Sequence, residues 1–312
     1  MSTVLITGGT GLVGTALSRA LRQQGHSVIV LTRNPSSAVP APGLRYAAWS
    51  VESGSIDAGA LADADVIVHL AGANVAGGRW TERRKQEIVE SRVRSGELLV
   101  RALGTLPNKV HTVLSASAIG WYGPDPQVPN PRPFVEEDRA DGAFLGRTCA
   151  QWEGAIRPVE ALGKRLVIAR IGIVMSHEGG AWAEFRKPMS FGVATIMGSG
   201  RQVVSWIHID DLVRFFVEAV NTPEIAGVYN AVAPAPVPNA ELVSAMKEAK
   251  GFAVTAPAPA FVLKALLGEM SIEVLKSATV SSRKLEATGF AFQYPDIRAA
   301  ARQLESAYRG GK

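Results

Sequence analysis

The chain has little that would staple, anchor or metallate it. One cysteine, Cys149, stands among 312 residues, so no internal disulfide and no C-x-x-C redox or zinc pair is available. A reducing compartment is the expectation. The five histidines (His26, His69, His111, His177 and His208) lie far apart without H-E-x-x-H spacing, so no metal site is expected. There is no G-x-S-x-G elbow, which sets aside the commonest α/β-hydrolase reading. Apolar runs are short against the roughly 18 residues of a membrane span: the stretch from Val66 to Val75 is broken by His69 and Asn74, and the one near Leu266 by Lys264 and Glu269. The start at Met1-Ser2-Thr3 has no basic n-region and no cleavage-site pattern, so an unprocessed chain is expected; with no spanning run it is expected to be cytoplasmic and without a membrane partner. Lys+Arg exceed Asp+Glu by only 33 to 28, a net charge of +5, so no nucleic-acid partner is expected either.

What the sequence does have is an ordinary globular balance, 47% hydrophobic and 20% charged, in a length that suits one large or two modest domains at roughly 150 residues each. Thr3–Thr7 is aliphatic and β-branched. A glycine-rich turn follows, then Leu12, Val13, Leu17, Ala20 and Leu21 at helical spacing, then the apolar run Ser27–Leu31: one βαβ unit. Further strands are expected at Asp65–Leu70, His111–Ser115, Arg165–Val174 and Gly227–Ala231, with helices at Glu82–Leu103, Thr148–Leu162 and Asp211–Asn221. Alternation of this kind predicts a doubly wound parallel sheet of the α/β Rossmann class. Proline-rich stretches at Asn34–Gly43, Gly123–Pro133 and Ala233–Pro238 are expected loops. After about Asn239 helical patterns dominate and the strand pattern stops. The expected division is a Rossmann domain over 1–175, with 208–232 returning to it, and a smaller, mostly helical substrate lobe from 176–207 and 233–312.

Thr7-Gly8-Gly9-Thr10-Gly11-Leu12-Val13-Gly14 places glycines 8, 11 and 14 between a strand and a helix. Gly8 allows the turn, Gly11 lets the backbone approach a pyrophosphate, and Gly14 lets the helix pack on the strand. About 20 residues further on, an NAD site carries an Asp or Glu for the ribose 2′-hydroxyl. Here Leu31-Thr32-Arg33-Asn34 has no carboxylate, and Arg33 with Thr32 suits a 2′-phosphate, so NADP(H) is the expected cofactor.

These features, with His69-Leu70-Ala71-Gly72, Ser115-Ala116-Ser117-Ala118, Trp152-Glu153, Arg170–Val174, Gly198–Gln202, Ser205–Asp211 and Gly227–Pro234, resemble an extended or atypical short-chain dehydrogenase/reductase. The resemblance is to the sugar-nucleotide epimerase-related subgroup, some members of which carry a cell-division-inhibitor label. Leu266–Glu269 and Lys284–Phe290 resemble its C-terminal helical module. The resemblance implies cofactor contacts at Thr32, Arg33, Leu70, Ala71, Gly72, Glu87, Arg92 and Val174, beside those of Gly8, Thr10, Gly11, Leu12, Val13 and Gly14.

Short-chain dehydrogenases usually work through a Tyr-x-x-x-Lys pair on one helix face. Tyr46, Tyr122, Tyr229 and Tyr294 are followed four residues later by Ser50, Pro126, Ala233 and Arg298; only Tyr308 has a lysine, Lys312, across Gly310-Gly311 at the chain end. Where the pair is expected, Leu145 and Cys149 stand instead. Ser117 matches the carbonyl-orienting serine and Tyr122 is the nearest candidate acid. Asp210 or Asp211 suits a helix N-cap. Gly172–Gly180 and Pro188–Gln202 are expected loops at the cleft mouth, with Arg201 and Gln202 facing a polar substrate. The leading expectation is an NADP(H)-dependent oxidoreductase or epimerase on a small polar, nucleotide-sugar-like molecule. The alternative is a non-catalytic NADP(H)-sensing regulatory or interaction protein.

Overall fold

The computed structural model describes residues 1–37 and 39–310. In chain order the first half contains β1 (Thr3–Thr7), α1 (Leu12–Gln23), β2 (Ser27–Thr32), β3 (Leu44–Ser50), β4 (Ser55–Ile56), α2 (Ala58–Asp63), β5 (Val66–His69), α3 (Glu82–Thr105), β6 (Thr112–Ala118) and α4 (Phe144–Ile156). Then come β7 (Arg165–Ile171), β8 (Ile173–Ser176), α5 (Gly180–Ser190), β9 (Val193–Met197), β10 (Val203–Val204), β11 (Trp206–His208), α6 (Ile209–Asn221) and β12 (Gly227–Ala231). The last part holds β13 (Val237–Pro238), α7 (Asn239–Lys250), β14 (Val254–Ala258), α8 (Ala260–Leu267), α9 (Ser271–Leu275), α10 (Arg283–Glu286) and α11 (Ile297–Gly310).

Eight strands form one sheet in the order β12-β7-β6-β5-β1-β2-β3-β4, parallel except for the β3–β4 edge. The inner strands are β-branched and buried on both faces, as a sheet covered by helices requires. Leu17 and Leu21 of α1 and Phe215 and Phe216 of α6 cover one face. Leu61 of α2, Leu98 and Leu99 of α3, and Ile156 of α4 cover the other. From β1 the chain runs outward through β2 and β3, then returns to β5 on the opposite side. The strand order therefore reverses between β1 and β5, and the carboxyl ends of those strands open the crevice where such sheets bind ligands. A separate core of Met175, Trp182, Trp206, Leu242, Met246, Ile297 and Leu304 holds the smaller lobe together.

Four expectations need correction. The strand expected from Arg165 to Val174 breaks at Gly172, where a Cβ would lie 2.8 Å from the Ser205 carbonyl oxygen. Beyond that squeeze β8 leaves the large sheet and pairs with β11. The segment Pro188–Gln202 is not all loop, because α5 runs on through Pro188 to Ser190 and β9 follows. Strands do not stop at Asn239, since β14 pairs in parallel with β9. The α6 N-cap is His208, whose Nδ1 accepts from the Asp210 N–H at 3.1 Å; Asp211 is fully buried and accepts instead from the Gln293 and Tyr294 N–H groups. Lys312, partner of Tyr308 in the sequence spacing, lies outside the described residues.

Candidate cofactor and substrate site

The loop after β1 fits against the end of β5 so closely that side chains are excluded. Gly8 takes φ +68°, and a Cβ there would sit 2.8 Å from the Leu70 carbonyl. A Cβ on Gly14 would fall 2.4 Å from the Gly8 oxygen. Helix α1 begins after Gly11, with no side-chain cap and no acidic residue in its first turn. Its first-turn N–H groups thus face the crevice uncapped, with the positive end of the helix dipole behind them. A dinucleotide's pyrophosphate fits that cradle in charge and in the space left by the glycines.

The strand ends beneath the loop are pinned by polar contacts. Thr7 Oγ1 lies 2.7 Å from His69 Nδ1 and accepts from the N–H groups of Leu70 and Ala71 at 3.2 Å each. On the other side His69 Nε2 lies 3.2 Å from Ser95 Oγ of α3. Burial, reinforced by the nearby Arg92 cation, lowers the His69 pKa to about 4, so the ring is neutral at pH 7. Thr7, His69 and Ser95 therefore hold β1, β5 and α3 in register under Leu70 and Ala71. Sequence reasoning missed this trio: its only signal was the polar residues Thr7 and His69 closing the apolar strands β1 and β5, and nothing marked Ser95 within α3.

Thr10 and Gly11 lie exposed on the loop, with Leu12 and Val13 half-buried behind them. Thr32 and Arg33 close β2, next to β1; the Thr32 hydroxyl accepts from the Asn34 N–H at 3.4 Å, and Arg33 is exposed with no ion pair among the described residues. Arg92 is not one more solvated cation of α3. It is buried against Gly72, donates to the Ala73 and Ile88 carbonyls, stacks over Trp152 at 4.9 Å, and has no carboxylate partner among the described residues. Val174, on β8, is brought near the glycine loop because Gly180, whose Cβ would lie 3.6 Å from the Val174 oxygen, rests on Leu12. Glu87 is exposed and paired with Arg84 at 2.6 Å, and Arg84 in turn reaches the Asn74 carbonyl, so the structure ties Glu87 to the loop after β5.

The proton-transfer candidates fare differently. Tyr122 is 0% exposed, donates to Asn230 Oδ1 at 2.6 Å and accepts from Arg170 Nη1 at 3.1 Å. Burial pushes its pKa up to about 12, outweighing the Arg170 cation. Tyr122 is therefore withdrawn as an acid: it is a sealed core group. Ser117, also buried, donates to Glu153 Oε1 at 2.8 Å; Glu153 is held in a bidentate pair by Arg170, with contacts of 2.8 and 3.1 Å. The guanidinium lies 3.6 Å from the Trp121 ring centre. Leu145 packs half-buried against Gly120, and Cys149 is buried beneath the Ala118 carbonyl, with burial and Glu153 pushing its pKa up to about 11. No thiolate nucleophile is at hand there. Of the substrate-facing candidates, Arg201 is exposed, whereas Gln202 is buried and donates to the Met197 carbonyl at 2.8 Å.

Comparison with known proteins agrees with this geometry. Residues 4–149 match the NAD dependent epimerase/dehydratase family, and residues 258–304 match a domain of unknown function, DUF1731. An epimerase family protein of Mycobacterium leprae is 36% identical over 301 residues, covering 95% of this chain and 94% of its own. The epimerase family protein YfhF of Bacillus subtilis is 34% identical over 302 residues, with 96% and 97% covered. The crystal structure of the human epimerase family protein SDR39U1 (isoform 2) with NADPH superposes with a TM-score of 0.86 at 30% identity, covering 97% of this chain and 99% of that one. A UDP-glucuronic acid 4-epimerase from Bacillus cereus, solved with UDP-glucuronic acid and NAD, shares the fold with a TM-score of 0.80 at 18% identity. The chain belongs to the NAD dependent epimerase/dehydratase family of the short-chain dehydrogenase/reductase superfamily, among the epimerase family proteins, and its residues 258–304 carry a DUF1731 module.

Proposed function

We propose that the protein is an NADP(H)-dependent oxidoreductase or epimerase-like enzyme acting on a small polar compound of nucleotide-sugar type. The observation that carries the cofactor choice is the end of β2, where an exposed Arg33, with no ion pair among the described residues, and the Thr32 hydroxyl stand in place of the carboxylate that would select NAD. The NADPH in the human relative's structure supports the same choice. Gly8–Gly14 would hold the pyrophosphate, Arg33 the 2′-phosphate, and Leu70–Gly72, backed by Arg92, the adenosine side, with Val174 flanking the crevice. When bound, the cofactor supplies two-electron hydride exchange with a substrate carbon.

The chain's own part is chiefly orientation. Leu145 has no proton to exchange, the Cys149 and Tyr122 protons are buried and tightly held, and the Ser117 hydroxyl is directed at Glu153. Solvent is accordingly assigned the proton that balances reduction of a carbonyl to an alcohol. Arg201 would meet the polar part of the substrate. Side-by-side titration with NADPH and NADH tests the reading. NADPH is expected to bind at least about tenfold tighter, about 1.4 kcal/mol, and Arg33→Ala to erase that difference while leaving NADH affinity unchanged. Equal affinities in the unaltered protein would overturn it.

A further inference from the structure

The smaller lobe presents its most exposed apolar side chains together. Strands β9 and β14 pair in parallel from Val193↔Val254, and the Val254 N–H donates to the Gly192 carbonyl at 2.8 Å. Phe191 and Phe252 therefore sit at the same end of this two-stranded sheet, each two residues before a paired valine. They are 88% and 82% exposed, with Val254 and Val193 also open beside them. Two neighbouring phenylalanines at a lobe tip cost solubility unless they meet a partner.

The surrounding charge indicates which partner. Helices α5 and α7, which pack on β9, and α11, which packs on α7, carry seven cations (Arg186, Lys187, Lys247, Lys250, Arg298, Arg302 and Arg309) against four carboxylates (Glu184, Glu241, Glu248 and Glu305). That surplus of three positive charges is more than half of the chain's +5. The carboxylates are largely taken up: Glu305 pairs with Arg186 and Arg309, Glu248 with Arg298, Glu184 with Lys187. Lys247, Lys250 and Arg302 have no ion pair among the described residues. Lys250 precedes Phe252 by two positions, Lys247 Nζ contacts Thr255 Oγ1 of β14 at 3.3 Å, and Arg302 lines a cavity of about 200 Å³ with Ala249.

We propose that this tip is a peripheral docking site for an anionic lipid bilayer, with Phe191 and Phe252 entering the headgroup boundary and Lys247, Lys250 and Arg302 lying against acidic headgroups. Apolar side chains that insert and cations that face the lipid charge are the two elements of reversible surface attachment. A second copy fits less well, because a two-fold contact would bring the same cations face to face. This proposal departs from the sequence expectation of no membrane partner, which rested on the lack of a spanning segment. None of the described helices is long and apolar enough to cross a bilayer, and lying on one needs no such helix.

The test is co-sedimentation of the full chain with phosphatidylcholine vesicles with and without phosphatidylserine. Binding only to the phosphatidylserine vesicles is expected, weakened by added salt. Phe191→Ser with Phe252→Ser is expected to lower the partition coefficient at least about tenfold, and Lys247→Gln with Lys250→Gln and Arg302→Gln by a similar factor. NADPH affinity, unchanged in both variants, confirms that they are folded and separates this inference from the cofactor assignment. No binding to acidic vesicles, binding indifferent to the phenylalanines, or vesicle-free self-association abolished by the phenylalanine changes would each overturn the proposal, the last in favour of a second copy.

Discussion

Beneath the crevice, Arg170 and Glu153 are both nearly sealed from solvent, and their pair is tied to Ser117, Tyr122 and the Glu136 carbonyl. In the stretch from Ala260 to Lys276, by contrast, only Ser271 is buried, although α8 reads Ala-Phe-Val-Leu-Lys-Ala-Leu-Leu. That stretch is held largely at its surface. Arg79 donates to the Ala265 and Leu266 carbonyls, Lys85 pairs with Glu269 at 3.0 Å, and Lys276 reaches the Tyr122 carbonyl at 3.2 Å. The same kinds of contact, cation to carboxylate and cation to carbonyl, therefore serve opposite ends. Buried, they lock strand ends that cannot relax without leaving a bare charge. Exposed, they fasten a segment whose release uncovers little apolar surface.

Breaking the buried side should have the largest effect. Glu153→Gln leaves the Arg170 guanidinium without a carboxylate and is expected to cost about 3–5 kcal/mol, read from the urea midpoint; a loss under about 1 kcal/mol would mean the pair is not a lock. His69 gives the next effect, and it depends on pH. Its folded pKa of about 4 lies below the ordinary 6.5, so between those values the unfolded chain takes up a proton that the folded chain refuses. Stability should fall as pH drops from 6.5 towards 4, by up to about 3 kcal/mol from this group, and a His69→Gln variant should lack that part of the slope. Tyr122→Phe strands Asn230 Oδ1 and should cost about 1–2 kcal/mol with NADPH affinity unaltered; a change in affinity instead would restore the tyrosine to the site. Smallest of all, Arg79→Ala should move the urea midpoint by less than about 0.5 kcal/mol yet speed amide exchange across 260–275 several-fold. Equal exchange rates in the two proteins would show that the clasp holds nothing.

The sheet's parallel class and the glycine loop were legible because each is a local pattern: continuous β-branched runs for buried parallel strands, and glycines where the backbone must pass another backbone. The parts that were not legible depend on what stands opposite. Nothing in the run Arg165–Val174 announces that Gly172 is squeezed by Ser205, thirty-odd residues later, so the sequence alone predicts an unbroken strand there. Tyr122 looks like a free acid beside a strand end until Asn230 and Arg170 close over it. Arg92 is one cation among many along α3, and only the fold reveals that it is the one turned under Gly72. Glu153 and Arg170 stood out as landmarks of the resemblance, but their partnership with each other is a fact of three-dimensional packing.

The sole thiol of the chain lies beneath the Ala118 carbonyl with its pKa pushed up to about 11. The protein is in effect a blank background for sulfhydryl chemistry. A single cysteine introduced at an exposed position, such as Ser190→Cys beside Phe191 at the lobe tip or Leu266→Cys on α8, becomes the only fast-reacting nucleophile towards a maleimide dye. One reporter can then watch the tip meet a vesicle and another watch the α8 segment loosen, with no native residue needing removal first.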